Sequence, residues 1–425
     1  YQMIKRTRPP RIAPIRTIDM PQVEVLHLDN GIPLYFSNMG TQEVLRVEAV
    51  FRAGRPYETK PLAAMATASQ IREGSKTHTS AEIAETFDYY GCEFSSPFHM
   101  DTANFSLVAL NKHLGDVLPL LGELLSEPAF PEKELEHFIK RNQQKLLVDL
   151  SQNDVIAYRH ITEKIFGASH PYGYNSQPEM YAALEVADLH RHFDRTFTAG
   201  NCLLFASGHV PQEAIAQINR SLGQAIRKGP AVLPSFPVQE TAPESARIAR
   251  PKTLQTAIRI GRRLFPRTHP DFTGMFVANA VLGGYFGSRL MSSIREEKGY
   301  TYSIYSSLET LCFDGFFYIA TETGNDVVQE TLDLIYQEIQ SLQDRLISVK
   351  ELNMAKSYLM GAFLTDVDGP FNTMDLVRSL ASDQLPVSFF QDTVRAVQEI
   401  TPQEIRSLAQ RYFSREDFWE TIVGP

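Results

Sequence analysis

The feature that most constrains this chain is an order of elements that occurs twice. In the first half, a strand at Leu45–Phe51 is followed by helical patterns at Lys60–Arg72 and Ser80–Tyr90. A strand at Ala103–Leu110 and helices at Leu114–Leu125 and Glu132–Leu150 complete the set. The second half answers in the same order, with Thr256–Leu264, Asp271–Leu282, Ser288–Lys298, Gly315–Ala320, Val327–Leu342 and Val349–Leu364. The exits match as well. Leu184–Leu189 leading to Arg195-Thr196-Phe197 parallels Ile400–Ile405 leading to Arg411-Tyr412-Phe413, and each is followed by a last strand, Cys202–Ser207 or Phe418–Val423.

Such a repeat demands two packed units of one design. The expectation is an α+β protein of two homologous halves, each a mostly antiparallel sheet covered by helices on one face. The halves are placed at residues 1–227 and 252–425, joined by a proline-bearing connector at 228–251. The chain has 425 residues, 43% of them hydrophobic, which suffices for two cores. The first half opens with a hairpin, Val23–Leu28 and Ile32–Phe36 about the turn Asp29-Asn30-Gly31.

Composition excludes several classes. A net charge of -9 argues against nucleic acid as the main partner, because phosphate binding needs a basic face. The three cysteines, Cys92, Cys202 and Cys312, form no C-x-x-C, so they indicate neither a disulfide framework nor a thiolate zinc site and are expected to be reduced and buried. No run of eighteen apolar residues is present, so no spanning helix is expected. The basic, proline-rich Lys5–Arg11 reads as an extended arm. A soluble, cytoplasmic protein is expected, or a periplasmic one if a leader preceded the initial Tyr1.

Chemistry concentrates in Gly283-Gly284-Tyr285-Phe286-Gly287-Ser288-Arg289-Leu290, which continues through Ile294-Arg295 to Gly299 and Thr301-Tyr302-Ser303. The glycines give a loop, Ser288 an N-cap, Leu290, Met291 and Ile294 an apolar stripe, and Gly299 a helix stop. An alternating strand begins at once, so one tight connection sets the Arg295 guanidinium beside the Tyr302 phenol. Nucleotide binding is not indicated. No lysine follows the glycines and no G-x-G-x-x-G is present.

This stretch resembles the C-terminal half of the insulinase/pitrilysin-type zinc peptidases, the inverzincins, with their glycine-rich segment and SRL-x-x-x-I-R-E-x-x-G-x-x-Y-S helix. The resemblance implies that Arg295 and Tyr302 are the family's substrate-binding pair, with Gly283 and Gly284 beside them. It covers almost the whole chain, including the duplicated architecture, and is supported by Asp29-Asn30-Gly31 and His170-Pro171-Tyr172-Gly173.

Active members of that family carry H-x-x-E-H on a helix of the first half, where two histidines bind zinc and the glutamate activates water. Counting back from Glu73-Gly74-Ser75-Lys76 puts Met65-Ala66-Thr67-Ala68-Ser69 in its place. Met65, Ala68 and Ser69 thus stand where the two ligands and the base belong. The later acidic ligand falls near Gln144–Asp149, with Asp149 as a remnant. The eleven histidines are scattered, and His190 and His192, two apart, lie on different helix faces. No metal is expected on this chain.

The implied function is that of a non-catalytic subunit in a heterodimeric zinc metallopeptidase. It is inactive alone and binds peptide substrate through Arg295 and Tyr302, while a homologous partner bearing H-x-x-E-H supplies the zinc. The alternative is a catalytically inactive structural or peptide-binding scaffold, homo-oligomeric or resembling the core subunits of the respiratory bc1 complex, since fold alone does not fix function.

Overall fold

The computed structural model describes residues 13–425, so the basic segment Lys5–Arg11 lies outside the described residues. Among the described residues, eleven strands form two sheets. The first contains β1 (Glu24–His27), β2 (Pro33–Asn38), β3 (Val44–Phe51), β4 (Glu93–Ser95), β5 (Ala103–Leu110) and β6 (Cys202–Gly208) in the order β1-β2-β6-β3-β5-β4. The second contains β7 (Ser245–Ala249), β8 (Gln255–Leu264), β9 (Thr301–Thr310), β10 (Gly315–Gly324) and β11 (Trp419–Gly424) in the order β7-β11-β8-β10-β9.

Removing β1 leaves the two orders identical, strand for strand. The correspondence includes the one parallel pairing in each sheet, β2 with β6 and β7 with β11; every other pair is antiparallel. Each half therefore closes by bringing its last strand back beside its first. The connector at 228–251 is accordingly not all connection, because β7 inside it pairs with β11 and belongs to the second sheet. Its five residues, Ser-Ala-Arg-Ile-Ala, alternate too briefly to stand out from the proline-bearing stretch before them.

One face of each sheet carries helices of its own half. In the first, Leu45, Val47 and Phe105 pack with Leu118 and Leu121 of helix Leu114–Ser126 and with Leu189 and Phe193 of helix Val186–Thr196. In the second, Ile258, Ile260, Phe317 and Ile319 pack with Ile335 and Ile339 of helix Val328–Asp344. The opposite faces exchange helices. Helix Asn153–Phe166, which follows the long helix of the first half, sets Ile161, Ile165 and Phe166 against Phe316, Tyr318 and Trp419 of the second sheet. Helix Gly369–Ser382, at the matching place in the repeat, sets Met374, Val377 and Ala381 against Val50, Leu203 and Phe205 of the first.

Ion pairs cross with the helices. The Arg46 guanidinium donates to the Asp375 carboxylate and the Phe371 carbonyl, each at 2.9 Å, and nearly buried Arg259 pairs with Asp154. The exchanged helices make each half complete the other's packing. All three cysteines are free, but only Cys202 is buried; Cys92 and Cys312 are half-buried, which corrects the expectation for those two. Among the described residues, no helix is long and apolar enough to cross a membrane.

Candidate functional site

Arg295 sits in a helical segment, Met291–Glu297, wound in the wide i→i+5 manner of a π-helix, a geometry often found at functional sites. Two bonds close its C-terminus, Gly299 N–H to the Arg295 carbonyl and Tyr300 N–H to the Ile294 carbonyl, each at 3.1 Å. Their spacings of four and six residues are each one wider than in a Schellman turn, in keeping with the π winding, and Gly299 takes a left-handed φ of +66°. The chain then enters β9 directly, with Tyr302 as its second residue.

A β-bulge turns Tyr302 outward. β9 and β10 pair regularly down to Ile304 opposite Thr321, but Thr301 lies opposite Thr323, so Tyr302 and Ser303 together face Glu322. Hydroxyls stitch the bulge: Thr321 donates to the Ser303 carbonyl (2.9 Å), and the Ser303 N–H donates to the Thr301 hydroxyl (3.1 Å). Ile304 is fully buried while Tyr302 is 86% exposed, a contrast that strict alternation would forbid, since both would share one face.

The structure brings Arg295 and Tyr302 together, but by ring face rather than by hydroxyl. The guanidinium carbon lies 5.5 Å from the Tyr302 ring centroid and 4.9 Å from that of Phe286, which is 60% exposed. The cation is thus held between two aromatic rings. Among the described residues, no carboxylate pairs with Arg295 and the Tyr302 hydroxyl has no partner, so the donors of both remain free. The sequence reading missed Phe286, although its place in the glycine stretch beside the helix was a usable signal.

Below Tyr302 runs a polar depression of about 330 Å³ between the exchanged helix and the second sheet, lined by Asp154, Arg259, Thr301, Ser303, Tyr305 and Glu322 among others. Burial raises the Glu322 carboxyl above its ordinary range; Asp154 adds to the rise and Arg259 opposes it. Burial also pushes the nearby Tyr158 phenol up to about 12. Asp154 reaches this wall from the first half, which no periodicity within either half could reveal.

The flanking residues divide by role. Gly283 is buried where a Cβ would meet the Ser306 backbone nitrogen at 2.6 Å, and at Gly284 a Cβ would crowd the Asn279 amide at 3.1 Å, so close packing against β9 and the preceding helix accounts for both. Arg289 forks onto Glu351 at 2.6 and 3.1 Å and fixes its helix to helix Val349–Asp366. Ser288 stands at the helix start with its carbonyl accepting from Ser292 N–H, but its hydroxyl has no partner, which corrects the side-chain capping expectation.

Met65, Ala68 and Ser69 lie in the other half, on helix Ala63–Gln70. Glu58, half-buried ahead of that helix, accepts from Ala64 N–H (3.1 Å) and from the Tyr174 hydroxyl. Burial pushes its carboxyl up to about 7, although both hydrogen bonds act in the opposite direction. A thioether, a methyl group and a hydroxyl are no zinc donor set, and Asp149 on the facing helix Glu132–Asp149 is one carboxylate. Among the described residues, no group of three or more His, Cys, Asp or Glu is placed to hold a metal ion. His192 is a core residue. Its Nε2 lies 2.8 Å from the Ala53 carbonyl, and burial holds its imidazole down at about 4.

Residues 183–359, which include the Arg295–Tyr302 unit, match a family described as the peptidase M16 inactive domain. Over that stretch the chain is similar to the inactive-type domain of the M16 peptidases. It is 22% identical over 403 residues to an uncharacterized zinc protease, YmxG, of Bacillus subtilis, covering 93% of this chain and 97% of that one. It is equally similar, 22% over 417 residues, to a Helicobacter pylori protein named non-peptidase homolog YmxG, with 96% and 93% covered. A crystal structure titled as a peptidase M16 inactive domain from Pseudomonas fluorescens shares the fold at a TM-score of 0.88 and 23% identity, over 95% of this chain and 98% of that one. Two mixed sheets with their helices are thus a fold this chain shares with that structure.

Proposed function

We propose that this chain is the non-catalytic subunit of a two-chain zinc peptidase, in which Arg295 and Tyr302 grip the substrate while a homologous partner carries the metal. The observation that carries the reading is the state of that pair: a guanidinium oriented by two rings and a phenol on a bulge, with their donors turned to solvent and unused. An arginine without a counter-ion and an 86% exposed tyrosine contribute little to stability. They suit a peptide carbonyl, whose oxygen gains negative charge as the amide is attacked. Arg295 supplies fixed charge and several donors, and Tyr302 supplies one hydroxyl on a rigid ring. Donors aimed at a developing oxyanion act on turnover more than on binding.

The missing zinc donors at Met65, Ala68 and Ser69 support division of labour, and a relative named a non-peptidase homolog agrees with a chain that does not cleave alone. The test is purification of the chain with whatever zinc-bearing protein accompanies it, followed by peptide hydrolysis with Arg295→Ala and Tyr302→Phe in that complex. Wild-type turnover from both variants, at unchanged melting temperature, would leave the inactive scaffold as the better account.

A further inference from the structure

The place vacated by the metal motif is not featureless. Ser69, third of the substituted positions, opens onto a depression of about 370 Å³ lined by Arg72, Glu73, Ser80, Ile83, Ala84, Ser96 and Arg141. Arg72 follows Ser69 by three residues, and Arg141 projects from helix Glu132–Asp149 one turn before the stretch expected to hold the second acidic ligand. Two guanidiniums thus line one depression beside the position that the resemblance gives to the metal motif.

Neither arginine is ion-paired with a described residue, unlike Arg46, Arg259, Arg263, Arg289 and Arg378 in the same chain. The lone acid in the lining, Glu73, accepts from the Ser80 hydroxyl at 2.7 Å. Arg72 is steadied by the Phe94 ring, 5.9 Å from its guanidinium carbon. Two cations against one carboxylate leave the depression positive in a chain whose net charge is -9. Two serine hydroxyls, Ser69 and Ser96, add donors beside the forks. Planar guanidiniums match a carboxylate, and their field repels zinc.

We propose that this depression is a carboxylate-binding site that takes an acidic group of a peptide, either its C-terminal carboxylate or an Asp/Glu side chain. The inference rests on reading the chain as a peptide-handling subunit. The former metal position then serves to anchor a peptide by charge while the Arg295–Tyr302 unit meets a backbone carbonyl.

The experiment uses the full chain and fluorescently labelled short peptides in two matched pairs, a free C-terminus against an amidated one, and internal glutamates against glutamines. Binding is measured by anisotropy at low and physiological salt, for wild type and for Arg72→Gln/Arg141→Gln. A roughly tenfold preference for the charged member of either pair is expected, shrinking with salt, as for a partly exposed charge-assisted contact. The double variant is expected to lose that preference at an unchanged melting temperature, and the pair that shows it names the source of the carboxylate. Equal binding within both pairs, or a preference that survives the double variant, would overturn the inference. The two readings fail separately. Loss of turnover in Arg295→Ala without any charge preference removes only the anchor, whereas a charge preference with full turnover in Arg295→Ala removes only the oxyanion role.

Discussion

Two regions built on one plan have opposite characters. In the second half, the helix ending at Gly299 and the bulge at Tyr302 expose a guanidinium, a phenol and a phenyl ring toward solvent. In the first half, helix Ala63–Gln70 presents Met65, Ala68 and Ser69, with Arg72 and Arg141 beside it, neither ion-paired with a described residue. The scaffold around both is equally well packed, down to matching strand orders and exchanged helices. In this fold the surface chemistry is therefore set by a handful of side chains at the ends of elements, and it can differ between the halves while the cores match.

The largest effect that would sharpen this contrast is on turnover. Arg295→Ala in the complex should cost about 10- to 1000-fold in kcat, and Tyr302→Phe somewhat less, comparable to removing one oxyanion donor. Melting temperatures should move little, because neither side chain is buried. A stability loss that tracks the activity loss would break the contrast by showing that the pair is structural.

Next comes the wall of the groove beneath Tyr302. Asp154→Ala leaves Arg259, only 4% exposed, without its counter-ion, and should lower unfolding free energy by about 2–3 kcal/mol in chemical denaturation. The matching change in the other half, Asp375→Ala, should cost less, since Arg46 keeps the Phe371 carbonyl and Glu48. Equal costs would show that the exchanged helices are held mainly by their apolar faces.

A smaller effect is expected with pH. Glu58 is raised from 4.5 to about 7 in the folded chain, so the folded state binds its proton more tightly than the unfolded state does. Its contribution to stability is full below about pH 4.5 and is lost as pH rises through 7. Glu58→Gln should flatten that decline, by on the order of 1–3 kcal/mol across the window, with thermal melts read from pH 5 to 8. The smallest effect should come from restoring the motif itself. Met65→His/Ala68→Glu/Ser69→His should bind zinc weakly in a competitive dye titration, because Arg72 and Arg141 flank the position and the facing helix offers only Asp149. Tight stoichiometric zinc in that variant would show that the metal site was lost by those three changes alone.

The duplicated order was legible because each half repeats the same alternation of periods 2 and 3.6. The parallel closing pair and β7 were not, since five weakly patterned residues carry no sign of the strand they join. Helices Asn153–Phe166 and Gly369–Ser382 were missed for a related reason: an apolar stripe announces burial but not which sheet buries it, and these two cross to the opposite half. At the site, Arg295, Gly299 and Tyr302 could be read from motif and turn chemistry. The bulge that turns Tyr302 outward could not, because it depends on the β9–β10 register fixed by Thr301 and Thr321. Phe286, Arg72 and Arg141 meet their neighbours only through tertiary packing.

The most direct measurement is zinc content and peptide turnover on the same samples, first for the isolated chain and then for the proposed complex with a co-purifying zinc-bearing protein. The account predicts no stoichiometric zinc and no hydrolysis for the chain alone, and in the complex a turnover that depends on Arg295. One tightly bound zinc per isolated chain, removed together with activity by a chelator, would contradict it.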